Sequence, residues 1–236
     1  ATDSKVLEIN SKSGLYPLFV AYNIYRRRVE EAKRKYGEVD RGFALSLWDS
    51  TIEQNIFVIC KTPMARDITR RTLVGFRNTR VNAQYYKDLI EVIKNNPATF
   101  VNEVRDGRRF WNTNNNDHMK FNAIVGNPPY QVMDGGAGVS AVPIYHQFVE
   151  IAKKIKPNYI SMIMPARWYA GGKGLDDFRE HTLHDNSMKE IFDYFDSTYI
   201  FPQIDLSGGV CYFLYDSKYH GDCIINSFRN GIYNRK

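Results

Sequence analysis

The sequence predicts an α/β domain with a mainly parallel sheet, on two observations. Strand-like apolar runs alternate with helical patterns along most of the chain, which is the order expected when helices connect parallel strands. The last two runs follow one another with no helical pattern between them, so we expect one antiparallel strand near the C-terminus. At 236 residues, the chain is long enough for one domain with a sizeable core.

Each element is predicted from a local pattern. Leu15, Phe19 and Tyr22 recur at helical spacing, and Pro63 and Pro97 are expected to stop the elements that precede them. The predicted strands are residues 5–10, 55–60, 121–126, 159–165, 188–195 and 210–216, the last of these being the final strand. The predicted helices are residues 15–35, 42–54, 64–76, 83–95, 144–156 and 175–184, whereas residues 98–120 show no clear pattern.

The composition is typical of a globular protein with a net positive charge. Hydrophobic residues make up 43% of the chain, charged residues make up 25%, and the net charge is +6. The basic excess lies largely in residues 25–37 and 64–80, which are either solvated helix faces or surface for a polyanion such as nucleic acid. No apolar run is long enough to cross a membrane. Three scattered cysteines favour free thiols in a reducing compartment, and no Cys/His cluster has the spacing of a metal site.

One strand ends in an unusual way, because residues 121–126 run directly into Asn127, Pro128, Pro129 and Tyr130. The Asn127 amide and the Asn127 and Pro128 carbonyls are hydrogen-bond acceptors, while the two prolines donate no backbone N–H. Such a stiff loop with a flat ring beside it can hold a planar group that carries an exocyclic amine. The alternative is a proline-stiffened strand end without a ligand.

The NPPY sequence after such a strand resembles the catalytic motif of S-adenosylmethionine-dependent amino-methyltransferases, chiefly DNA N6-adenine methyltransferases. The chain is most similar to the methylase domains of type II restriction–modification enzymes that fuse methylase and endonuclease. The resemblance covers most of the chain and rests also on residues 6–18, 55–73, 144–168 and 192–216. It implies a Rossmann-like methyltransferase fold with the first strand beside the NPPY strand.

The resemblance also implies a role for each residue of the motif. The target adenine would be flipped out of the duplex, and the Asn127 side-chain oxygen and the Pro128 carbonyl would accept its two N6 hydrogens. Pro129 would stiffen the loop, and Tyr130 would stack on the base. The work would be done by positioning and electrostatics, with the transferable methyl group coming from S-adenosylmethionine.

The cofactor residues follow from the same resemblance, with departures from the family pattern. Glu8 and Gly14 match the cofactor loop, whereas Asn10 and Lys12 stand where glycines are usual, so modest cofactor affinity is expected. Cys60 and Thr62 occupy positions where the family usually places acidic residues that bind the ribose. The full set of expected cofactor-binding residues is Glu8, Asn10, Ser11, Ser13, Gly14, Cys60, Thr62 and Asp106. For Asp106, an exposed turn in "RDGRR" is the alternative.

Duplex DNA is the expected partner, and several loop residues are candidates to contact it. The glycines of residues 135–138 form either a flexible connection or a loop that orders over the flipped base. Arg167 and Lys173 are candidate DNA contacts, as is Trp168, for which a core position is the alternative.

No nuclease motif or target-recognition segment is recognisable in the chain. We therefore expect the chain to be a catalytic domain that acts with a recognition domain and a nuclease, in the cytoplasm of a prokaryote. Two other functions stay open: methylation of a protein glutamine or an RNA base amine, and a non-catalytic DNA-binding or scaffold module.

Overall fold

The computed structural model describes residues 2–113, 118–132, 141–203, 206–229 and 231–236. The chain divides into two compact units, Ala1–Gly126 and Asn127–Lys236, here called unit 1 and unit 2. Both are built from α-helices and β-strands, as the sequence predicts.

In its described residues, unit 1 contains four strands and five helices in a largely alternating order. They are β1 (Val6–Ser11), α1 (Leu15–Tyr36), α2 (Arg41–Asn55), β2 (Ile56–Cys60), α3 (Pro63–Val74), β3 (Asn82–Tyr85), α4 (Leu89–Asn95), α5 (Pro97–Val104) and β4 (Ala123–Gly126). The strands are parallel in the order β4-β1-β2-β3. Strands β1 and β2 are buried along their whole length, as expected for a sheet covered on both faces.

Local sequence explains where two of these helices begin. Asp40 precedes α2 and accepts a hydrogen bond from the backbone N–H of Phe43 at 2.8 Å. Thr62 does the same for α3, accepting from Ala65 N–H, and Pro63 follows at the first helical position, where a missing N–H costs nothing.

Across the part that the structure describes, unit 2 contains a small hairpin and a mixed five-stranded sheet. Its elements are β5 (Gln131–Val132), β6 (Val142–Pro143), α6 (Tyr145–Ile155), β7 (Tyr159–Pro165), α7 (Asp176–Leu183), β8 (Met188–Tyr194), β9 (Val210–Asp216), β10 (Ile224–Arg229) and β11 (Ile232–Arg235). The sheet order is β11-β10-β8-β9-β7. Strand β9 is antiparallel to both β7 and β8, which confirms the antiparallel strand expected near the C-terminus.

Two predicted features are wrong and a third is confirmed. Residues 82–85 form strand β3 rather than the first turn of a helix, because pairing with the buried strand β2 outweighs the helical preference of Ala83 and Gln84. Helix α4 ends at Asn95, so the predicted stop before Pro97 is confirmed, and Pro97 then begins α5. Residues 210–216 are not the final strand, since β10 and β11 follow, and β11 adds a second antiparallel strand.

Candidate functional site

The end of β1 carries two buried polar side chains that lack hydrogen-bond partners on one atom each. Glu8 and Asn10 are both only 5% exposed. Glu8 Oε2, an acceptor, and Asn10 Nδ2, a donor, are buried without a hydrogen-bond partner. Because such atoms cost free energy when left unpaired, this end of β1 is suited to a ligand that presents both a donor and an acceptor.

Burial also changes the acidity of Glu8. Desolvation raises the pKa of the Glu8 carboxyl from 4.5 to about 7, against the lowering effect of its hydrogen bond with the Ser11 side chain. Tyr16 is a neighbour that sequence analysis missed. Burial, followed by the charge of Glu8, raises the pKa of the Tyr16 phenol. A cationic group bound beside Glu8 would therefore stabilise its ionised form.

The loop after β1 is held by short polar contacts to α3. Gly14 N–H donates to Ser11 Oγ at 3.2 Å, and Thr69 Oγ1 donates to the same oxygen at 3.4 Å. Thr72 Oγ1 donates to the Ser13 carbonyl at 2.6 Å. Ser11 is thus a structural residue of the loop, and Thr69, which carries no motif signal, is a support that sequence analysis missed.

One residue at the end of β1 and one in the loop after it have an unusual backbone conformation. Asn10 has φ of 73° and Gly14 has φ of 76°, both in the left-handed region. Asparagine tolerates this region better than most residues, so Asn10 can replace a glycine here. A Cβ on Gly14 would lie 3.0 Å from Thr69 Cα, so Gly14 allows close packing of the loop on α3. Lys12 and Ser13 are exposed between them.

The side chains of Cys60 and Thr62 differ in their exposure. Cys60 is fully buried in the core cluster of unit 1, with its sulfur 3.8 Å from Thr69 Oγ1, and its part in cofactor binding stays a prediction. Thr62 is exposed, but its hydroxyl accepts the Ala65 N–H hydrogen bond described above. The signal for a helix cap was present in the Thr62-Pro63 pair.

Asp106 forms an isolated antiparallel β-bridge with His118, and it is half-buried. Its carboxylate accepts a hydrogen bond from Arg109 N–H at 2.9 Å. With Glu103 and Phe110 it borders a pocket of about 460 Å³, and its role in cofactor binding stays a prediction beside the turn alternative.

The NPPY segment begins directly after β4, whose strand lies beside β1 in unit 1. Val125 pairs with Glu8, and a Cβ on Gly126 would lie 3.3 Å from the Ile9 carbonyl oxygen. Pro128 is buried, whereas Asn127, Pro129 and Tyr130 are half-buried. Three of the four residues are therefore partly accessible on an anchored backbone, while the Tyr130 hydroxyl is buried.

The far end of the segment is fixed within unit 2. The Tyr130 carbonyl accepts a hydrogen bond from Ile144 N–H at 3.2 Å, and Gln131 pairs with Pro143 in the β5–β6 hairpin. The NPPY loop is therefore held at both ends. The glycines of residues 135–138 lie outside the described residues.

The residues after β7 separate into core and surface. Trp168 is buried and its Nε1 donates to Cys211 Sγ at 3.4 Å, so its prediction as a DNA contact is wrong and the core alternative is confirmed. Arg167 and Lys173 are exposed. Arg167 borders a pocket of about 340 Å³ with Asp193 and Phe195, and Asp193 Oδ1 is buried there without a hydrogen-bond partner. Sequence analysis missed Asp193.

Other expectations concern thiols, metals and membranes. All three cysteines are free, with Cys60 and Cys211 buried and Cys223 half-buried. Within the described ranges, no group of His, Cys, Asp and Glu side chains has the arrangement of a metal site. In the same part of the chain, no helix is both long and apolar enough to cross a membrane.

Comparison with solved structures identifies the fold as that of restriction–modification methyltransferases. A modification subunit of a putative type I restriction enzyme from Vibrio vulnificus YJ016 aligns over 98% of this chain and 44% of its own, with a TM-score of 0.58 and 11% identity. The type IIL restriction–modification enzyme MmeI, solved in complex with DNA, aligns over 100% of this chain and 34% of its own, with a TM-score of 0.58 and 10% identity.

Sequence comparison then gives the family. Residues 54–201 match the Eco57I restriction-modification methylase family. An "Uncharacterized adenine-specific methylase" of Mycoplasma pneumoniae is 32% identical over 155 residues, which cover 64% of this chain and 36% of the relative. The chain belongs to the Eco57I restriction-modification methylase family, and it spans about a third of that relative's length. The family resemblance is confirmed, while fusion to an endonuclease stays a prediction.

The raised pKa of Glu8 predicts a pH dependence of stability. Because the folded-state pKa of about 7 exceeds the ordinary 4.5, the fold favours the protonated carboxyl. The free energy of unfolding should fall as the pH rises from about 4.5 through about 7, by about 3 kcal/mol in total. Glu8→Gln should remove this contribution, whereas the exposed Glu38→Gln should not. Urea unfolding at about pH 5 and about pH 8 measures it, and identical pH profiles for wild type and Glu8→Gln would contradict it.

Proposed function

We propose that this chain transfers a methyl group from S-adenosylmethionine to the N6 amine of an adenine in duplex DNA, as the catalytic domain of a restriction–modification methyltransferase. The observation that carries the proposal is the NPPY segment, which begins at the end of β4, the strand that pairs with β1 next to Glu8. Membership of the Eco57I restriction-modification methylase family supports it.

The residues at the end of β1 fit the proposed cofactor. Glu8 Oε2 and Asn10 Nδ2 are a buried acceptor and a buried donor without partners, which suits the ammonium and carboxylate of an amino-acid group. S-Adenosylmethionine, when bound, supplies an electrophilic methyl group on a sulfonium centre. Glu8 would hold the ammonium and Asn10 the carboxylate, with Gly14 leaving the loop backbone free of a side chain.

Asn127 and Pro128 would act on the substrate amine. Asn127 Oδ1 and the Pro128 carbonyl would each accept one N6 hydrogen, which localises the nitrogen lone pair and directs it towards the transferred methyl group. Since both acceptors belong to a loop anchored at β4 and at the β5–β6 hairpin, little reorganisation is needed when the amine reacts. This part of the mechanism is positioning and requires no covalent bond to the protein.

Tyr130 would stack on the extruded base, and two substitutions test that role. Tyr130→Ala should weaken activity by about 1–3 kcal/mol, the range measured for stacking of a base on an aromatic ring. Tyr130→Phe keeps the ring and should be mild. Single-turnover methylation rates measure both, and a Phe variant as impaired as the Ala variant would mean that the hydroxyl, not the ring, is what matters.

Cofactor affinity tests the fit at β1. We expect modest binding, with a dissociation constant of about 10 μM or weaker, because Asn10 and Lys12 stand where glycines are usual and Cys60 is buried in the core. Asn10→Asp, which replaces the donor amide with an acceptor, should weaken binding about tenfold further. Calorimetry with S-adenosylmethionine measures both values. Wild-type binding in the nanomolar range, or an unchanged Asn10→Asp, would contradict the assigned contacts, and absence of any binding would favour a non-catalytic module.

The proposed partners follow from the same function. Duplex DNA is the proposed substrate, and a target-recognition domain and a nuclease are proposed to act with this chain in one polypeptide or complex. Its free thiols are in keeping with a reducing prokaryotic cytoplasm.

A further inference from the structure

Helices α1 and α3 of unit 1 carry large apolar side chains that are exposed to solvent. On α1 they include Leu15, Phe19 and Tyr22, which are spaced so that they share one side of the helix, and Phe19 is 70% exposed. On α3, Met64 and Ile68 lie one turn apart, and Met64 is 72% exposed. Apolar side chains aligned along two helices in this way form stripes, unlike the single scattered exposed residues that are normal on a monomer surface.

The two stripes lie next to a direct contact between the helices. The start of α1 packs on α3, with Gly14 against Thr69 and the Thr72 hydroxyl hydrogen-bonded to the Ser13 carbonyl at 2.6 Å. Leu15 follows this contact on α1, and Ile68 lies one helical turn before Thr72 on α3. We call Leu15, Phe19, Tyr22, Met64 and Ile68 together the α1–α3 surface.

The segments that carry this surface are strongly basic. Residues 12–26 and 61–76 contain six basic side chains, namely Lys12, Arg26, Lys61, Arg66, Arg70 and Arg71, and one acidic side chain, Asp67. Asp67 is already paired with Arg66 at 2.9 Å. The Arg26 guanidinium lies 6.0 Å from the centre of the Tyr22 ring, so positive charge directly borders the apolar side chains.

An apolar centre with a basic border restricts the kind of partner that fits this surface. Leucine, methionine and isoleucine gain little from phosphate groups, so the DNA backbone would leave the centre of the surface unsatisfied. A second copy that presented the same surface would bring basic border against basic border, which is repulsive. A protein helix with an apolar stripe and acidic flanks satisfies both the centre and the border.

We propose that the α1–α3 surface binds an amphipathic helix of another protein, whose apolar stripe is flanked by acidic side chains. The apolar stripe packs over Phe19, Met64 and Ile68. The acidic flanks pair with Arg70 and with the basic side chains at the ends of the surface. The residues changed in its test, Phe19 and Ile68, belong neither to the NPPY segment nor to the proposed cofactor residues, so the contact can be tested separately from the proposed methyl transfer.

Two designed helical peptides test this proposal on the whole chain. They share one leucine-rich stripe, and glutamates flank the stripe in the first and lysines in the second. Fluorescence anisotropy at physiological salt should show the glutamate peptide binding at least about tenfold more tightly than the lysine peptide. The double variant Phe19→Ser/Ile68→Ser should lose at least about tenfold of that affinity. Ile232→Ser, an exposed apolar residue of β11, is the matched control and should change nothing.

Several results would overturn the proposal. They are equal binding of both peptides, no binding of the glutamate peptide, and a double variant that binds like the control. Binding of anionic phospholipid vesicles or of duplex DNA that is lost in the double variant would assign the surface to those partners instead. A dimer that sediments as a monomer only in the double variant would assign it to self-association. Circular dichroism of each variant checks that the fold is retained.

Discussion

Asn127→Ala is expected to reduce methyl transfer to duplex DNA by at least about a hundredfold, while the affinity for S-adenosylmethionine changes by no more than a few fold. The substitution removes the side-chain acceptor of the substrate amine and leaves the backbone acceptors in place. It does not touch Glu8 or Asn10, which are the proposed cofactor contacts. Loss of a preorganised polar group that acts only on the reacting centre lowers the rate of methyl transfer rather than the affinity for the cofactor.

The measurement pairs single-turnover methylation with calorimetry on the same variant. Asn158→Ala, in which an exposed asparagine of unit 2 is truncated, serves as the matched control and should retain both properties. Substantial turnover by Asn127→Ala would remove the amide from the mechanism. A large loss of cofactor affinity would mean instead that the NPPY segment is part of the cofactor site.

The chain should bind duplex DNA weakly, with little sequence preference and a steep dependence on salt. Lysine and arginine contacts to phosphate release counterions, so affinity should fall by about a thousandfold between about 50 and 200 mM salt. Specific reading requires side chains presented to base edges in a groove, and the described elements of both units are largely engaged in their own sheets and helices. Without specific contacts to offset base extrusion, turnover should also be slow.

Charge reversal at the exposed basic end of α1 tests the prediction of weak, salt-dependent DNA binding. Lys33 and Arg34 lie on the last turns of α1, and both are exposed. If these side chains contact phosphate, reversing each charge should lower affinity equally for unrelated duplexes and reduce the salt slope by about one per contact. Selection from randomised duplexes that returned one enriched motif would contradict the prediction and would locate sequence recognition within these 236 residues.

Sequence patterns were sufficient for the elements that carry a strong local signal. The apolar runs of β1, β2 and β4 and the helical spacing of α1 predicted those elements to within two residues at either end. The end of β4 was predicted because Gly126 and two prolines interrupt the apolar run, a local signal independent of packing. The left-handed φ of Asn10 is in keeping with the tolerance of asparagine for that conformation.

The features that depended on distant packing were not predictable in this way. Strand β3 exists because β2 offers a buried edge for pairing, and its own sequence lacks a strand pattern. Cys60 was expected to bind the cofactor, and only the fold shows that its thiol is buried, 3.8 Å from Thr69 Oγ1. The unpartnered atoms of Glu8 and Asn10 and the buried oxygen of Asp193 depend on neighbours that only the fold brings close.

The central claim is that this chain methylates the N6 amine of adenine in DNA. The most direct test incubates the purified chain at low salt with plasmid DNA and labelled S-adenosylmethionine, and identifies the methylated nucleosides by mass spectrometry. We predict label in N6-methyladenine alone, and none when Asn127→Ala replaces the wild type. Label in N4-methylcytosine, in added RNA or in a protein glutamine, or no methylated nucleoside from a chain that calorimetry shows to bind the cofactor, would contradict the claim.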